Sequence, residues 1–395
     1  MTRPQLIIAP GKEKALLRRH PWIFSGAVKR IAGDPKEGDL VDVVSADGSW
    51  MATGHYQPES IICKVLSFDT PQVDDDFFRE CIRSAVAYRE RLGFFRSADT
   101  NVFRLVHAEG DFLPGLVADW YNGVLVLQAH SLGMHRIFPM LSAAFRETLK
   151  SYGICSIFDK SSATVPGGAA DGYLWGDEPQ EWEICEHGNR MLINFYEGQK
   201  TGFFVDQREN RALVQQLAQG QRVLNCFGYT GGFSLSALRG GAAIVETVDI
   251  SKKAIELCNR NVALNFGPEA CHQGTVADVL QFLAEHKSHS SQFSFIILDP
   301  PAFAKNHRAL QQGLKGYRSI NQRAMEALPA GGMLMTFSCS QAVSKNDFRT
   351  MVFTAAANAR RRVRVVRELP HAADHPVSIY HPEGEYLKGL LLQVE

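Results

Sequence analysis

Residues 223–233 read Val-Leu-Asn-Cys-Phe-Gly-Tyr-Thr-Gly-Gly-Phe. The apolar start suits a buried strand, and a helical pattern begins at Gly232. The glycines between them let the main chain pass close to a ligand at a helix N-terminus, in the crevice where open α/β sheets bind nucleotides. Position 230 is Thr, so the G-x-G-x-x-G spacing of a dinucleotide pyrophosphate site is missing and a nicotinamide oxidoreductase is disfavoured.

Outward from this turn, strand-like and helical runs alternate toward the C-terminus, the order of a parallel sheet with helices on both faces. Strands are expected over 223–226, 244–249, 293–299, 333–338, 363–368 and 387–394. No helical pattern separates the last two, so one of them should run antiparallel. Ser251 is placed as N-cap of a helix with Ala254, Ile255, Cys258 and Val262 on one face. Asp249 closes the second strand, where a carboxylate can accept both ribose hydroxyl protons of an adenosine, and Asp278 lies beyond the next strand, placed to meet the adenine. The strand ending at Asp299 runs into Pro300-Pro301-Ala302-Phe303. Two prolines stop the ladder and aim the carboxylate and its neighbouring carbonyls into the crevice, where a planar base with an exocyclic amine needs acceptors. The next strand ends in Thr336-Phe337-Ser338-Cys339-Ser340, which sets a thiol at the carboxyl end of the sheet, within reach of substrate.

Upstream the pattern changes. Short β-like runs at 40–44 and 61–66 mark residues 1–70 as a small β-rich module. Asp74, Asp75 and Asp76 open a helix carrying Phe77, Phe78, Ile82, Val86 and Leu92, with its acids where the helix dipole favours them. Asn122-Gly123 is a hairpin signal, a second hairpin turns at His187-Gly188-Asn189, and Pro166 to Gly172 reads as a mobile surface loop. Residues 71–195 therefore form a central α+β domain, and 196–395 the domain of alternating strands and helices.

The 395 residues are 45% hydrophobic and 21% charged, an ordinary globular composition that excludes a disordered or collagen-like chain. Lys and Arg number 42 against 42 Asp and Glu, so any nucleic-acid surface is a local patch. The first thirty residues hold one, with Arg3, Lys12, Lys14, Arg18, Arg19, Lys29 and Arg30 against Glu13 alone; Arg360, Arg361, Arg362, Arg364 and Arg367 form a second cluster. The eight cysteines include no C-x-x-C pair, which argues against a disulfide framework or a thiolate zinc site. No run resembles a signal peptide or membrane span, and a cytoplasmic protein is expected.

Over its whole length the chain resembles the S-adenosylmethionine-dependent large-subunit ribosomal RNA cytosine-5 methyltransferases that carry an N-terminal PUA domain. The resemblance rests on Arg19-His20-Pro21-Trp22-Ile23-Phe24-Ser25-Gly26, on Glu186-His187-Gly188-Asn189, and on Lys200-Thr201-Gly202-Phe203-Phe204-Val205-Asp206-Gln207-Arg208. It continues through the glycine turn, the Asp-Pro-Pro and Ser-Cys-Ser motifs, and His371-Ala372-Ala373-Asp374-His375-Pro376 with Pro382-Glu383-Gly384. Ala302 departs from it, since many relatives carry Lys there. The resemblance implies an α/β fold: a class I (Rossmann-like) methyltransferase domain preceded by a PUA domain and the central α+β domain. It further implies S-adenosyl-L-methionine held by Gln199, Thr201, Phe203, Asp206, Arg208, Phe227, Gly228, Tyr229, Thr230, Gly231, Asp249, Asp278, Asp299 and Pro300. The implied substrate is 23S ribosomal RNA, with no metal and no membrane; a homodimer stays open.

C5 of cytosine is too weak a nucleophile to take a methyl group unaided. A thiolate, Cys339, would add to C6 and push electron density to C5, while Asp299 hydrogen-bonds the N3/N4 edge of the ring. A base must then remove the C5 proton, and likeness to uridine-5 enzymes makes Glu383 and Asp374 the candidates. His371, His375 and His381 read as surface histidines. The target base must leave its stack; Tyr317, in a loop beyond Asp-Pro-Pro, either stacks on it or is a core aromatic, and Lys305 is a further RNA-binding candidate. Arg18 and Arg19 would contact phosphates, and Trp22 and Phe24 read as core more than as an RNA platform. Two rivals stay open on this fold: an N7-guanine or amino-directed methyltransferase, and a catalytically silent RNA-binding assembly factor, whose signature would be loss of Cys339 or of the glycine turn.

Overall fold

The structure, a computed structural model, describes residues 3–165, 170–285, 292–304 and 306–395. Its contacts divide the chain into two compact units: unit 1 is Met1–Ile184, Ile193–Val205 and Ala373–Gly384, and unit 2 is Cys185–Leu192, Asp206–Ala372 and Glu385–Glu395.

Unit 1 contains two sheets. The first has six strands, Gln5–Ile8, Trp22–Phe24, Val28–Ala32, Leu40–Val44, Trp50–Tyr56 and Ile61–Ser67. Their inward positions, among them Leu6, Ile8, Val41, Val43 and Val65, close its core. The second has five strands and packs with the helices Asp75–Arg91 and Phe138–Thr148 around Phe103, Leu105, Leu125, Leu127 and Phe145. Asp74 caps the first of these helices by accepting from the Phe77 amide at 3.1 Å. The hairpin forms as expected, with Asn122 and Gly123 at φ 47° and 98° and Tyr121 opposite Val124. The expected boundary near residue 70 separates the two sheets, yet both lie in unit 1.

Near 195 the chain does not divide cleanly. Residues 185–192 go with unit 2 because Glu186 forms a buried two-pronged pair with Arg211 at 2.5 and 2.8 Å, and because the Leu192 amide donates to Asn261. Periodicity carries no sign of such a long-range pair.

Unit 2 alternates as expected: α1 (Arg208–Leu217), β1 (Arg222–Cys226), α2 (Gly232–Arg239), β2 (Ile244–Asp249), α3 (Lys252–Phe266), β3 (His272–Val276), α4 (Val279–Glu285), β4 (Phe295–Leu298), α5 (Leu310–Ala327), β5 (Gly332–Ser338), α6 (Lys345–Asn358), β6 (Val363–Glu368) and β7 (Lys388–Val394). The sheet order is β3-β2-β1-β4-β5-β7-β6. The first five strands pair in parallel, and β7 runs antiparallel to both its neighbours. Alternate residues of each strand serve opposite faces: Val223, Val245, Phe295 and Met335 pack with α1 and α2, while Leu224, Val248, Ile296 and Leu334 pack with α4, α5 and α6. Strand β3 is an edge strand with no fully buried residue and contains Gly274, so it has no apolar run to mark it.

Of the second arginine cluster, Arg361 is structural, donating to the carbonyls of Met325, Leu328, Pro329 and Glu395, and Arg364 pairs with Glu395 at 2.6 Å.

Candidate active site

The turn after β1 is held in a costly conformation. Phe227 and Tyr229 sit at φ 59° and 45°, in the left-handed region that side chains rarely adopt. Gly228 lies so close to β2 that a Cβ there would fall 2.2 Å from Thr247 Cγ2, and Gly231 takes φ 88° against Cys258. Asp249 at the end of β2 holds the arrangement, with Oδ2 accepting from the Tyr229 amide at 3.0 Å and Oδ1 from the Ser251 amide at 2.9 Å. Asn261 donates to the Thr230 carbonyl, and a buried chain from Asn225 through Ser234 and Thr247 to His272 ties β1, α2, β2 and β3 together. Asp278 is exposed and caps α4 through the Gln281 amide at 2.9 Å.

At the next strand end Asp299 is half-buried. Burial first, and then the charge of Asp206, push its carboxyl up to about 7; Gln207, donating to Oδ1 at 3.1 Å, and the Arg211 guanidinium work the other way. Asp206 Oδ2 accepts from the Tyr386 hydroxyl at 2.7 Å, while its buried Oδ1 has no hydrogen-bond partner. Beyond β5 the Cys339 thiol lies 3.9 Å from the Pro300 carbonyl, so it adjoins the Asp-Pro-Pro segment. Lys388, at the start of β7, is opposite Ser338 in register and donates to the carbonyls of Ser340 and Tyr386, both at 2.6 Å. Sequence reasoning missed this residue, although a lone lysine heading an apolar strand is a visible signal.

Several expected roles need correction. Tyr317 is in helix α5, not a loop, and is fully buried with its hydroxyl 2.8 Å from Ser340 Oγ, so it is a core aromatic and no stacking platform. Asp374 is fully buried in unit 1, where its carboxylate accepts from the Arg104 amide at 2.8 Å and lies 2.9 Å from His375 Nδ1. That fixed position suits a structural carboxylate. Thr201 and Phe203 are buried in unit 1, the Thr201 hydroxyl donating to Asp119 and the Phe203 amide to Tyr121. Arg208 is buried as well. Nor are the histidines surface groups, for His375 and His381 are buried and His371 accepts from the Leu387 amide.

Other candidates are more open. Glu383 is 46% exposed, 3.4 Å from His20 and 3.8 Å from His381. Arg18 and Arg19 are exposed, and Arg19 pairs with Asp69 at 2.5 Å. Trp22 is half-buried, its ring 4.3 Å from that of His381 and its Nε1 donating to Glu109, whereas Phe24 is 47% exposed rather than core. Lys305 and most of the 166–172 loop, residues 166–169, lie outside the described residues.

A strained turn beside the Asp249 carboxylate and an unpartnered buried acceptor on Asp206 suit the hydroxyl and ammonium donors of an adenosyl amino acid. Residues 103–378 match the S-adenosylmethionine-dependent methyltransferase family, and residues 6–68 match the PUA-like domain. The chain is thus an S-adenosylmethionine-dependent methyltransferase with an N-terminal PUA-like domain. It is 39% identical to ribosomal RNA large subunit methyltransferase I of Erwinia tasmaniensis, covering 99% of each chain, and 39% identical to that of Salmonella typhi, covering 99% of this chain and 98% of the other. The protein belongs to the ribosomal RNA large subunit methyltransferase I family. Its fold is shared by a solved chain from Streptococcus mutans assigned to the SAM-dependent methyltransferases, at 22% identity, full coverage of both chains and a TM-score of 0.86. A methyltransferase structure complexed with SAH, also 22% identical, aligns over both full chains with a TM-score of 0.87.

Proposed function

We propose that the enzyme methylates C5 of a cytosine in large-subunit (23S) ribosomal RNA in the cytoplasm, with Cys339 as nucleophile. The observation that carries this reading is the thiol of Cys339 at the end of β5, 3.9 Å from the carbonyl of the residue that follows Asp299. A nucleophile and an acid at neighbouring strand ends are what cytosine C5 chemistry requires, and an N7-guanine or amino-directed enzyme has no use for the thiol. The names of the relatives support the substrate class.

S-adenosylmethionine supplies a methyl carbon on a cationic sulfur, and the 227–231 turn, Asp206, Asp249 and Asp278 are the groups that would hold it. Cys339 forms a bond to C6 of the extruded cytosine, moving the C5–C6 π pair toward C5. Asp299, whose carboxyl holds its proton up to about pH 7, donates to N3 as negative charge gathers on the ring. Once C5 carries its new substituent, removal of the C5 proton returns the pair to C5–C6 and expels the thiolate. Of the two carboxylates expected as base, Glu383 is retained, because its carboxylate is open to a proton and that of Asp374 is not. Arg18 and the other cations of the PUA-like domain contact phosphates without reading bases.

The deciding experiment maps 5-methylcytosine across ribosomal RNA from cells lacking the gene, with and without complementation. One cytosine that loses and regains its mark supports the reading; loss at guanine N7 or at an exocyclic amine overturns it.

A further inference from the structure

Lys388 is 5% exposed at the head of a strand whose other residues are apolar or polar but uncharged. Its register opposite Ser338 delivers the ammonium to the strand end that carries Cys339. Two of its donors go to the carbonyls of Ser340 and Tyr386. Carbonyls orient an ammonium but bring no net charge, and among the described residues no carboxylate pairs with Lys388. A buried cation without a counter-ion is unfavourable, because it has given up its hydration, unless a nearby group turns negative.

The neighbouring charges narrow the choice of that group. Lys345, on α6, opposes the Lys388 charge but is itself paired with Glu385 at 2.5 Å. Asp206 is bonded to Tyr386, Asp299 is lifted toward neutrality, and burial raises the Tyr317 phenol. His371 accepts from a backbone amide. Cys339 stands between Ser338, opposite Lys388 in register, and Ser340, whose carbonyl takes the ammonium, so a negative charge on its thiol would offset the burial that pulls Lys388 down to about 8. Coulombic stabilisation is mutual, so the same interaction favours the thiolate.

We propose that Lys388 is a positioning residue whose clamped ammonium keeps Cys339 in its thiolate form, ready to add to C6. This rests on Cys339 being the nucleophile. The rival role is a purely structural staple for the two carbonyls, which needs the N–H donors but not the charge.

The test follows the alkylation rate of Cys339 by iodoacetamide against pH, read on the Cys339 peptide by mass spectrometry, in wild type, Lys388→Gln and Lys388→Arg. The Gln variant keeps N–H donors without charge, and the Arg variant keeps the charge. We expect a wild-type midpoint below the ordinary thiol value of about 8.5, a rise of one unit or more in Lys388→Gln, hence roughly ten-fold slower alkylation at pH 7, and a midpoint near wild type in Lys388→Arg. A folded Gln variant with an unmoved midpoint overturns the proposal. If neither variant folds, a wild-type midpoint at or above about 8.5 overturns it alone. Methyl transfer retained by Cys339→Ala would instead remove the nucleophile reading, while the thiolate midpoint still reports on Lys388.

Discussion

Gln207 donates its side-chain amide to Asp299 Oδ1 across 3.1 Å. This contact is the largest influence opposing the burial and the Asp206 charge that raise the Asp299 carboxyl to about 7. Replacing Gln207 with Leu removes a hydrogen bond to the ionised form and moves the value higher. If protonated Asp299 is the working form, the alkaline limb of the methyl-transfer pH profile should shift up by about one unit, the equivalent of about 1.4 kcal/mol. A profile that stays in place removes the Asp299 proton from the mechanism.

Asp299 should also tax stability. A carboxyl whose folded value lies above its unfolded one contributes stability in full below about pH 4, and the contribution is lost as pH rises through 7. Asp299→Asn has no such loss. Urea titrations should show the variant close to wild type near pH 4 and more stable by about 1–3 kcal/mol above pH 7.5, while its methyl transfer collapses. Equal stability at both pH values would mean that the carboxyl is not perturbed.

Asp249→Ala deletes a proposed ribose acceptor and also frees the amides of Tyr229 and Ser251. Calorimetry should give at least a ten-fold loss of S-adenosylmethionine affinity, from a charge-assisted contact worth about 1.5–3 kcal/mol. Unchanged affinity in a folded variant would take Asp249 out of the ligand set.

Cys339→Ala should abolish transfer with cofactor and RNA affinity near wild type, because the thiol makes its decisive bond only along the reaction path. RNA carrying 5-fluorocytosine should trap the wild-type enzyme covalently and leave the Ala variant free. Glu383→Gln should accumulate a covalent complex with ordinary RNA on a denaturing gel; prompt turnover by that variant would assign the base elsewhere.

Arg18 and Arg19 are adjacent, and among the described residues Arg19 pairs with Asp69 while Arg18 has no ion pair. If both reach phosphates, Arg18→Gln should lower the slope of log K against log salt by about 0.7–0.9. Arg19→Gln should lower it by less, since its charge is already shared. Equal changes would mean that the Asp69 pairing does not diminish the Arg19 contact, and absent changes would mark the patch as a solvated face.

Local signals suffice where a residue's neighbours in sequence decide its conformation. Asn122-Gly123 specified its own turn because both positions need positive φ, and Ser251 capped α3 through a hydroxyl three residues from its target. The alternation of strands and helices, and the single antiparallel strand, were visible in apolar runs long enough to be unambiguous. Strand β3 was not, because an edge strand with a glycine needs no hydrophobic face.

By itself the sequence determined which chemical groups end the strands: the glycine turn after β1, Asp249 after β2, Asp-Pro-Pro after β4 and Cys339 after β5, since a parallel sheet brings successive strand ends to one edge. Only the tertiary structure decided what those groups can do. Tyr317 became core and Asp374 a structural carboxylate because of partners far off in the chain, Ser340 for the one and Arg104 for the other. The proton affinity of Asp299 is likewise set by its burial, by Asp206 and by Gln207. Burial and electrostatics depend on distances through space, and those exist only once the chain has folded.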